Sequence, residues 1–264
     1  MSWLEALILG IIQGLTEFLP VSSSGHLEIG NVLLNVQTSD HLLFAVVVHA
    51  ATALSTIVVF GKDIQVILKD LLAFKWNESW SFTIKIIISM IPVGVIGILY
   101  EDQIEILFAG NMLLVGSALI FTSVLLFFTY FKKNTEGEVS YLSALIIGMA
   151  QAVAILPGVS RSGSTIATAL LLGVDKTKAT RFSFLMVLIP ILGASLLKAK
   201  DYFEAPEAAG DISVVALVVG FLAAFISGFL ACQWMIKLVR RGKLTYFAIY
   251  CLIVGVLAIL SSLI

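Results

Sequence analysis

Six stretches of this chain, roughly 42–60, 82–100, 112–131, 180–197, 212–236 and 244–264, are each long and apolar enough to cross a lipid bilayer. A crossing helix needs about 20 such residues, with ~17 at the short end. Their number decides the solvent. Hydrophobic residues make up 59% of the chain and charged residues 12%, against about a quarter charged in soluble domains. Most of the chain must therefore fold in lipid. Pro92 and Pro190 fall inside the second and fourth stretches, which membrane helices accept where neighbours satisfy the freed carbonyl. The net charge is −1 and there is no basic block, which excludes a nucleic-acid binder. No Lys or Arg precedes the first apolar run in MSWLEALILG, so that run lacks the positive start of a signal peptide and is expected in the mature protein. Cys232 and Cys251 lie in spans without metal-type spacing and read as small buried apolar residues.

Two further stretches, 3–35 and 141–173, are apolar at both ends and polar in the middle, with a break at Pro and Gly. Non-helical backbone at membrane depth survives only where protein buries it or it lines a cavity. Helix–loop–helix hairpins that enter and leave on one side fit this pattern better than kinked full spans. The stretches also align without a gap at an offset of 138: Gly10 with Gly148, Gln13 with Gln151, Val21 with Val159, and Ser22, Ser24 and Gly25 with Ser160, Ser162 and Gly163. Each is followed by three spans, an odd number of crossings, so the second copy must be inverted. The fold class predicted is an all-α membrane protein, a single membrane domain of six transmembrane helices and two re-entrant hairpins. It is built as an inverted-topology repeat, copy one about 1–134 and copy two about 139–264. Sites in such repeats lie near the midplane, where the copies meet.

Charge gives an independent reading of this topology. One face receives Lys62, Lys69, Lys75, Lys132, Lys133, Lys176, Lys178, Arg181, Lys237, Arg240, Arg241 and Lys243, with Lys85 just inside it; the other receives Lys198 and Lys200. The positive-inside rule makes the rich face cytoplasmic. Both termini then lie outside, and the two hairpin loops meet within the membrane from opposite faces.

The hairpins carry the chemistry. The first offers Gln13 and Glu17, four apart on one helix face, then Ser22, Ser23, Ser24 and His26; the second offers Ser160, Arg161, Ser162, Ser164 and Thr165. Ionisable groups within a membrane mark a functional site by default. Arg161 is a permanent cation whose planar fork suits phosphate. It is flanked by hydroxyls, Gly158 and Gly163, and free N–H groups where the next helix starts would favour an anion. Glu17 suits a divalent metal. His26 suits a nucleophile, or a general base to Ser23. Together the set points to phosphoryl transfer on an intramembrane phosphate. The competing readings are structural: serines that satisfy loop backbone, a Glu17–Arg161 ion pair that only joins the hairpins, and His49 as a hydrogen-bonded core residue. Glu5, Glu28, His41 and Lys85 sit near hairpin mouths or span ends, within reach of water.

The segments QGLTEFLPVSSSGH at 13–26 and PGVSRSGST at 157–165 resemble the two signature motifs of the bacterial undecaprenyl-diphosphate phosphatases, also called bacitracin-resistance proteins. The resemblance covers essentially the whole chain. It implies a multi-pass protein of the bacterial cytoplasmic (inner) membrane that hydrolyses undecaprenyl diphosphate to undecaprenyl phosphate, at a site open to the outer face, and so recycles the lipid carrier of cell-wall (peptidoglycan) synthesis. It implies a divalent cation, magnesium or calcium. By motif position the functional residues are Glu17, Ser23, His26, Ser160, Arg161 and Thr165, with Ser162 and Gly163 in the phosphate-binding turn and Glu17 and Gln13 at the metal. Gln13 stands where some members carry Glu, and an amide offers a neutral oxygen but no base.

On this reading the isoprenoid tail lies along the apolar spans, Arg161 and nearby N–H groups hold the phosphate, and His26 attacks phosphorus or deprotonates Ser23. The partners are the polyprenyl diphosphate and the bilayer, with no nucleic acid; a homodimer is compatible with a sequence that does not define oligomeric state. A transporter or lipid flippase shares the repeat architecture but does not need this His/Ser/Glu/Arg set. A structural scaffold does not explain costly ionisable groups at depth.

Overall fold

The computed structural model describes residues 1–36, 41–100, 111–132, 136–193, 195–196 and 212–263, without the side chains of 41 and 42. The side chain of His41 and residues Lys133, Lys198 and Lys200 lie outside the described residues. The described elements are helices: α1 (Trp3–Phe18), α2 (Ser23–Leu34), α3 (His41–Val59), α4 (Gly61–Leu72), α5 (Glu78–Leu99), α6 (Met112–Phe128), α7 (Tyr141–Val153), α8 (Arg161–Leu171), α9 (Lys176–Met186), α10 (Val214–Arg240) and α11 (Thr245–Ser261). A single parallel bridge, Gly137 to Val174, is the one extended pairing among the described residues.

Among the described residues, three helical stretches are long and apolar enough to cross a bilayer: α5, α6 with the short 3₁₀ turn after it, and α10. A fourth appears if α3 and α4 count as one span, but they are bent by 76° at Phe60. The sequence reading ended its first span at residue 60 and assigned no helix beyond it. On α4, Val66, Leu68 and Leu72 are exposed, while Asp63 pairs with Arg181 at 2.7 Å and Asp70 accepts the Ser79 hydroxyl at 2.6 Å, which tie the helix to its neighbours. The span expected at 180–197 is broken at Val187, with helix resuming over 188–193. Pro190 lacks the N–H that would bond the Met186 carbonyl, which ends α9 there. Pro92, by contrast, stays inside an unbroken α5.

α1 packs against α2, α10 and α3, and α7 packs against α8 and α5. α6 packs along α11. Under the 138-residue offset α1 corresponds to α7 and α5 to α10, so the α1–α10 and α5–α7 contacts exchange with one another. Close approach at both requires the absence of a side chain. A Cβ on Gly148 would lie 2.4 Å from the Ser89 carbonyl oxygen, and one on Gly14 would lie 2.5 Å from the Ala224 carbonyl oxygen. Lipid supplies no hydrophobic drive between helices, so small residues that let backbones touch hold them together. Gly148→Ala is expected to destabilise the fold by about 1–3 kcal/mol through overpacking. Gly94→Ala, where a Cβ meets nothing within 4 Å, should instead stabilise α5 by roughly 0.5–1 kcal/mol. Thermal melts in detergent would read both, and equal shifts would sink the packing argument.

Candidate active site

The first hairpin turns over residues 19–22. Ser22 adopts φ 69°, a left-handed conformation rare for a non-glycine residue. From there it caps α2: its hydroxyl accepts the Gly25 N–H at 3.2 Å, and its carbonyl accepts both the backbone N–H and the Nδ1–H of His26, at 3.1 and 2.8 Å. A carbonyl only accepts, so in the neutral imidazole Nε2 is unprotonated. It accepts from the Tyr250 hydroxyl at 2.8 Å, and the two rings stack. Ser23, the first residue of α2, faces α1 and donates its hydroxyl to Glu17 Oε2 at 2.5 Å.

The second hairpin turns through Gly158 at φ 91°. Ser160 caps α8, its hydroxyl accepting from the Gly163 N–H at 3.0 Å, while its own N–H donates to the Thr122 hydroxyl at 3.0 Å. Arg161, the first residue of α8, donates from Nη2 to Glu17 Oε1. Ser23 and Arg161 are equivalents under the 138-residue offset, and each holds one oxygen of the same carboxylate. The two turns interlock around this point: Ser162 donates to the Leu19 carbonyl at 3.1 Å, and the Gly158 N–H reaches the Ser24 hydroxyl at 3.5 Å.

Several expected phosphate ligands are engaged within the chain. Gly163 N–H is held by Ser160, and the Thr165 hydroxyl bonds back to the Arg161 carbonyl at 3.0 Å. At the start of α8, among the described residues, the N–H groups of Arg161 and Ser162 face no acceptor. Of the sequence candidates, Gln13, Glu17, Ser23 and Arg161 converge directly. His26 lies apart from Ser23, turned to Tyr250.

α3 completes the cluster with residues the sequence reading did not assign to it. Gln13 donates to Glu17 Oε2 at 3.0 Å and to the Thr52 hydroxyl at 3.5 Å. His49 donates from Nδ1 to the Ala45 carbonyl at 2.7 Å and brings Nε2 to 3.7 Å from Glu17 Oε2. It is thus both a hydrogen-bonded helix residue and part of the site; its place inside a span was the available signal. Thr52, Ser183 and Tyr250 carried no such signal. Glu17, its side chain 6% exposed, borders a cavity shared with Thr52, Thr56, Arg161, Thr165 and Ser183. The cavity is about 20 Å³, room for roughly one water. The paired Glu17 and Arg161 side chains form part of its wall.

The donors suit a hard cation. Gln13 Oε1 is buried without a partner, on the amide whose Nε2 donates to Glu17. No group of three His, Cys, Asp or Glu that could hold a metal occurs among the described residues. The protein therefore offers two oxygen-bearing side chains, a set that fits a divalent ion drawing its other ligands from a diphosphate and water.

A family model described as Bacitracin resistance protein BacA matches residues 6–257. Relatives named undecaprenyl-diphosphatase cover essentially the same length. The protein of Bacteroides thetaiotaomicron is 52% identical over 264 residues, 100% of each chain. That of Christiangramia forsetii is 54% identical over 260 residues, 98% of this chain and 97% of its own. That of Methanobrevibacter smithii is 38% identical over 279 residues, 100% of this chain and 99% of its own.

Proposed function

This chain belongs to the Bacitracin resistance protein BacA family, and from that premise we propose that it is a multi-pass membrane phosphatase. It hydrolyses undecaprenyl diphosphate to undecaprenyl phosphate and inorganic phosphate, returning the lipid carrier to cell-wall synthesis. The observation that carries the mechanism is the Glu17 carboxylate held between the Ser23 hydroxyl and the Arg161 guanidinium.

The diphosphate enters by competing for Arg161. The guanidinium turns its fork from Glu17 to the terminal phosphate, joined by the N–H groups of Arg161 and Ser162, and the small cavity opens. Glu17, released from the ion pair, keeps the Ser23 hydrogen bond. The Ser23 oxygen attacks the terminal phosphorus as its proton passes to Glu17. The bond from that phosphorus to the bridging oxygen breaks, and undecaprenyl phosphate leaves. Water then attacks the phosphoserine, inorganic phosphate departs, and Glu17 returns the proton to the serine oxygen. Arg161 stabilises the charge on the transferring group in both steps. His26, fixed by Ser22 and Tyr250, lines the approach from α11. A divalent cation, magnesium or calcium, would be held by Glu17 and Gln13 and would neutralise the diphosphate's charge.

The six-span, two-hairpin inverted repeat remains the topology proposed, as one membrane domain. It is supported by helix length: α2 and α8 have 12 and 11 residues, a rise of about 18 Å against a hydrocarbon core of ~30 Å. Both termini then lie outside, in the bacterial inner membrane, with the site open to the outer face; a homodimer is part of the same proposal. The test is phosphate release from a polyprenyl diphosphate in detergent, with and without divalent cation, across wild type, Glu17→Ala, His26→Ala and Arg161→Ala. No release by the wild type would sink the phosphatase reading and favour a transporter, which cannot work vectorially in detergent.

A further inference from the structure

A second cavity lies away from the Glu17 cluster, where three turns on the lysine-rich face come together. It is bounded by the turn after α6 (Thr129, Tyr130, Lys132), the α8–α9 region (Leu170, Lys176) and the α10–α11 turn (Arg241, Gly242, Leu244). Its volume is about 290 Å³, at the small end of ligand sites (~300–1,000 Å³). Among the described residues, three cations from three distant parts of the chain line it and no carboxylate does. None of the three forms an ion pair among the described residues.

Helix ends account for two of these charges and not for the third. Lys132 follows the 3₁₀ turn and Arg241 is the C-cap of α10, where cations complement the helix dipole. Lys176 is the first residue of α9, the end at which a cation is unfavourable. It is nevertheless half-buried, with its ammonium folded over the α10–α11 turn: a Cβ on Gly242 would lie 3.0 Å from Lys176 Nζ. Gly242 also takes φ 68°, so glycine serves both the turn and the ammonium. The neighbouring Asp175 forms no ion pair with Lys176 among the described residues; its Oδ1 accepts the Thr177 and Lys178 N–H groups at 2.9 and 3.1 Å as the helix cap. Backbone bonds between Gly137 and the 173–175 segment, both 2.9 Å, pin the α8–α9 turn. Tyr130 lines the cavity, and it and its chain neighbour Phe131, like Tyr246 two residues beyond the lining Leu244, are each about two-thirds exposed, as interfacial side chains are.

We propose that this cavity binds a phosphate-bearing anion, the head group of an anionic phospholipid or free inorganic phosphate. Three cations unpaired among the described residues, around a space large enough for a phosphate head group, supply charge and hydrogen bonds, and exposed aromatics such as Tyr130 are the kind found at head-group depth.

The test uses the purified full-length protein. Retention of phosphatidylglycerol against phosphatidylcholine is counted by native mass spectrometry, and inorganic phosphate is titrated as a separate arm. Wild type should prefer phosphatidylglycerol or bind phosphate, and whichever arm responds identifies the source. Each cation near such a head group contributes roughly a factor of five, so Lys132→Gln/Lys176→Gln/Arg241→Gln should weaken binding about a hundredfold. Lys62→Gln/Lys69→Gln, on α4 of the same charged face, should leave it unchanged. Polyprenyl diphosphate hydrolysis on the same preparations reports folding. If the triple variant is inactive, Lys176→Gln alone should still weaken binding about fivefold. Equal loss in the α4 variant would reduce the site to diffuse surface charge and overturn the proposal, as would a wild type that binds neither probe.

Discussion

Arg161→Lys is expected to lower phosphate release by about 10²–10³-fold, the usual cost of losing one donor aimed at transition-state charge, while leaving the fold intact. The reasoning rests on what Arg161 touches. Its Nη2 is bound to Glu17 Oε1, so a lysine can still neutralise the buried carboxylate. What an ammonium cannot supply is the planar fork for a phosphate that must displace Glu17. Arg161→Ala makes a different prediction. It strands Glu17, whose side chain is 6% exposed, and removing one partner of a buried pair costs about 3–5 kcal/mol. That variant should be both inactive and less stable, and Glu17→Gln/Arg161→Ala should recover stability without activity. Melting temperature and turnover measured together separate the two effects. Near-normal turnover in Arg161→Lys would show that the fork does not hold the phosphate.

The second large effect is at Ser23. Ser23→Ala should abolish turnover to the level of losing a nucleophile, about 10³-fold or more, and should leave no covalent phospho-enzyme. Rapid quenching of wild type with a labelled polyprenyl diphosphate should place the phosphate on Ser23. The geometry distinguishes this from attack by His26. The Ser23 hydroxyl already donates to a carboxylate that can take its proton, whereas the His26 lone pair is directed at Tyr250. A label found on His26 would reverse the assignment. Tyr250→Phe removes only the hydroxyl that orients His26, worth roughly 1 kcal/mol, so it should cost far less activity than Ser23→Ala. His26→Ala with normal turnover would remove the imidazole from the mechanism altogether.

Much of this site was legible beforehand because membrane energetics makes polar residues conspicuous. Glu17, Ser23, His26 and Arg161 stood out against lipid-compatible neighbours, and the repeated motif brought two distant segments together. His49 stood out too, but one residue in a span cannot show which neighbour it faces. Thr52 and Tyr250 were invisible because they are ordinary membrane-helix residues until another helix is laid beside them. The helix at 61–72 was missed because its apolar face gives no long hydrophobic run, and the break at Val187 because Pro190 alone does not say whether a helix bends or stops.

By itself, then, the sequence determined the apolar solvent, the helical class and which polar residues stand out as candidates for chemistry, since each follows from local composition and period. Tertiary structure decided how they are used. The pairing of Glu17 and Arg161 expected on the structural reading is present, and both residues line the cavity at which the proposed function places the phosphate. Only packing could turn Ser23 toward Glu17 and His26 toward Tyr250, because those directions depend on α1 and α11, from opposite ends of the chain, meeting around one short helix.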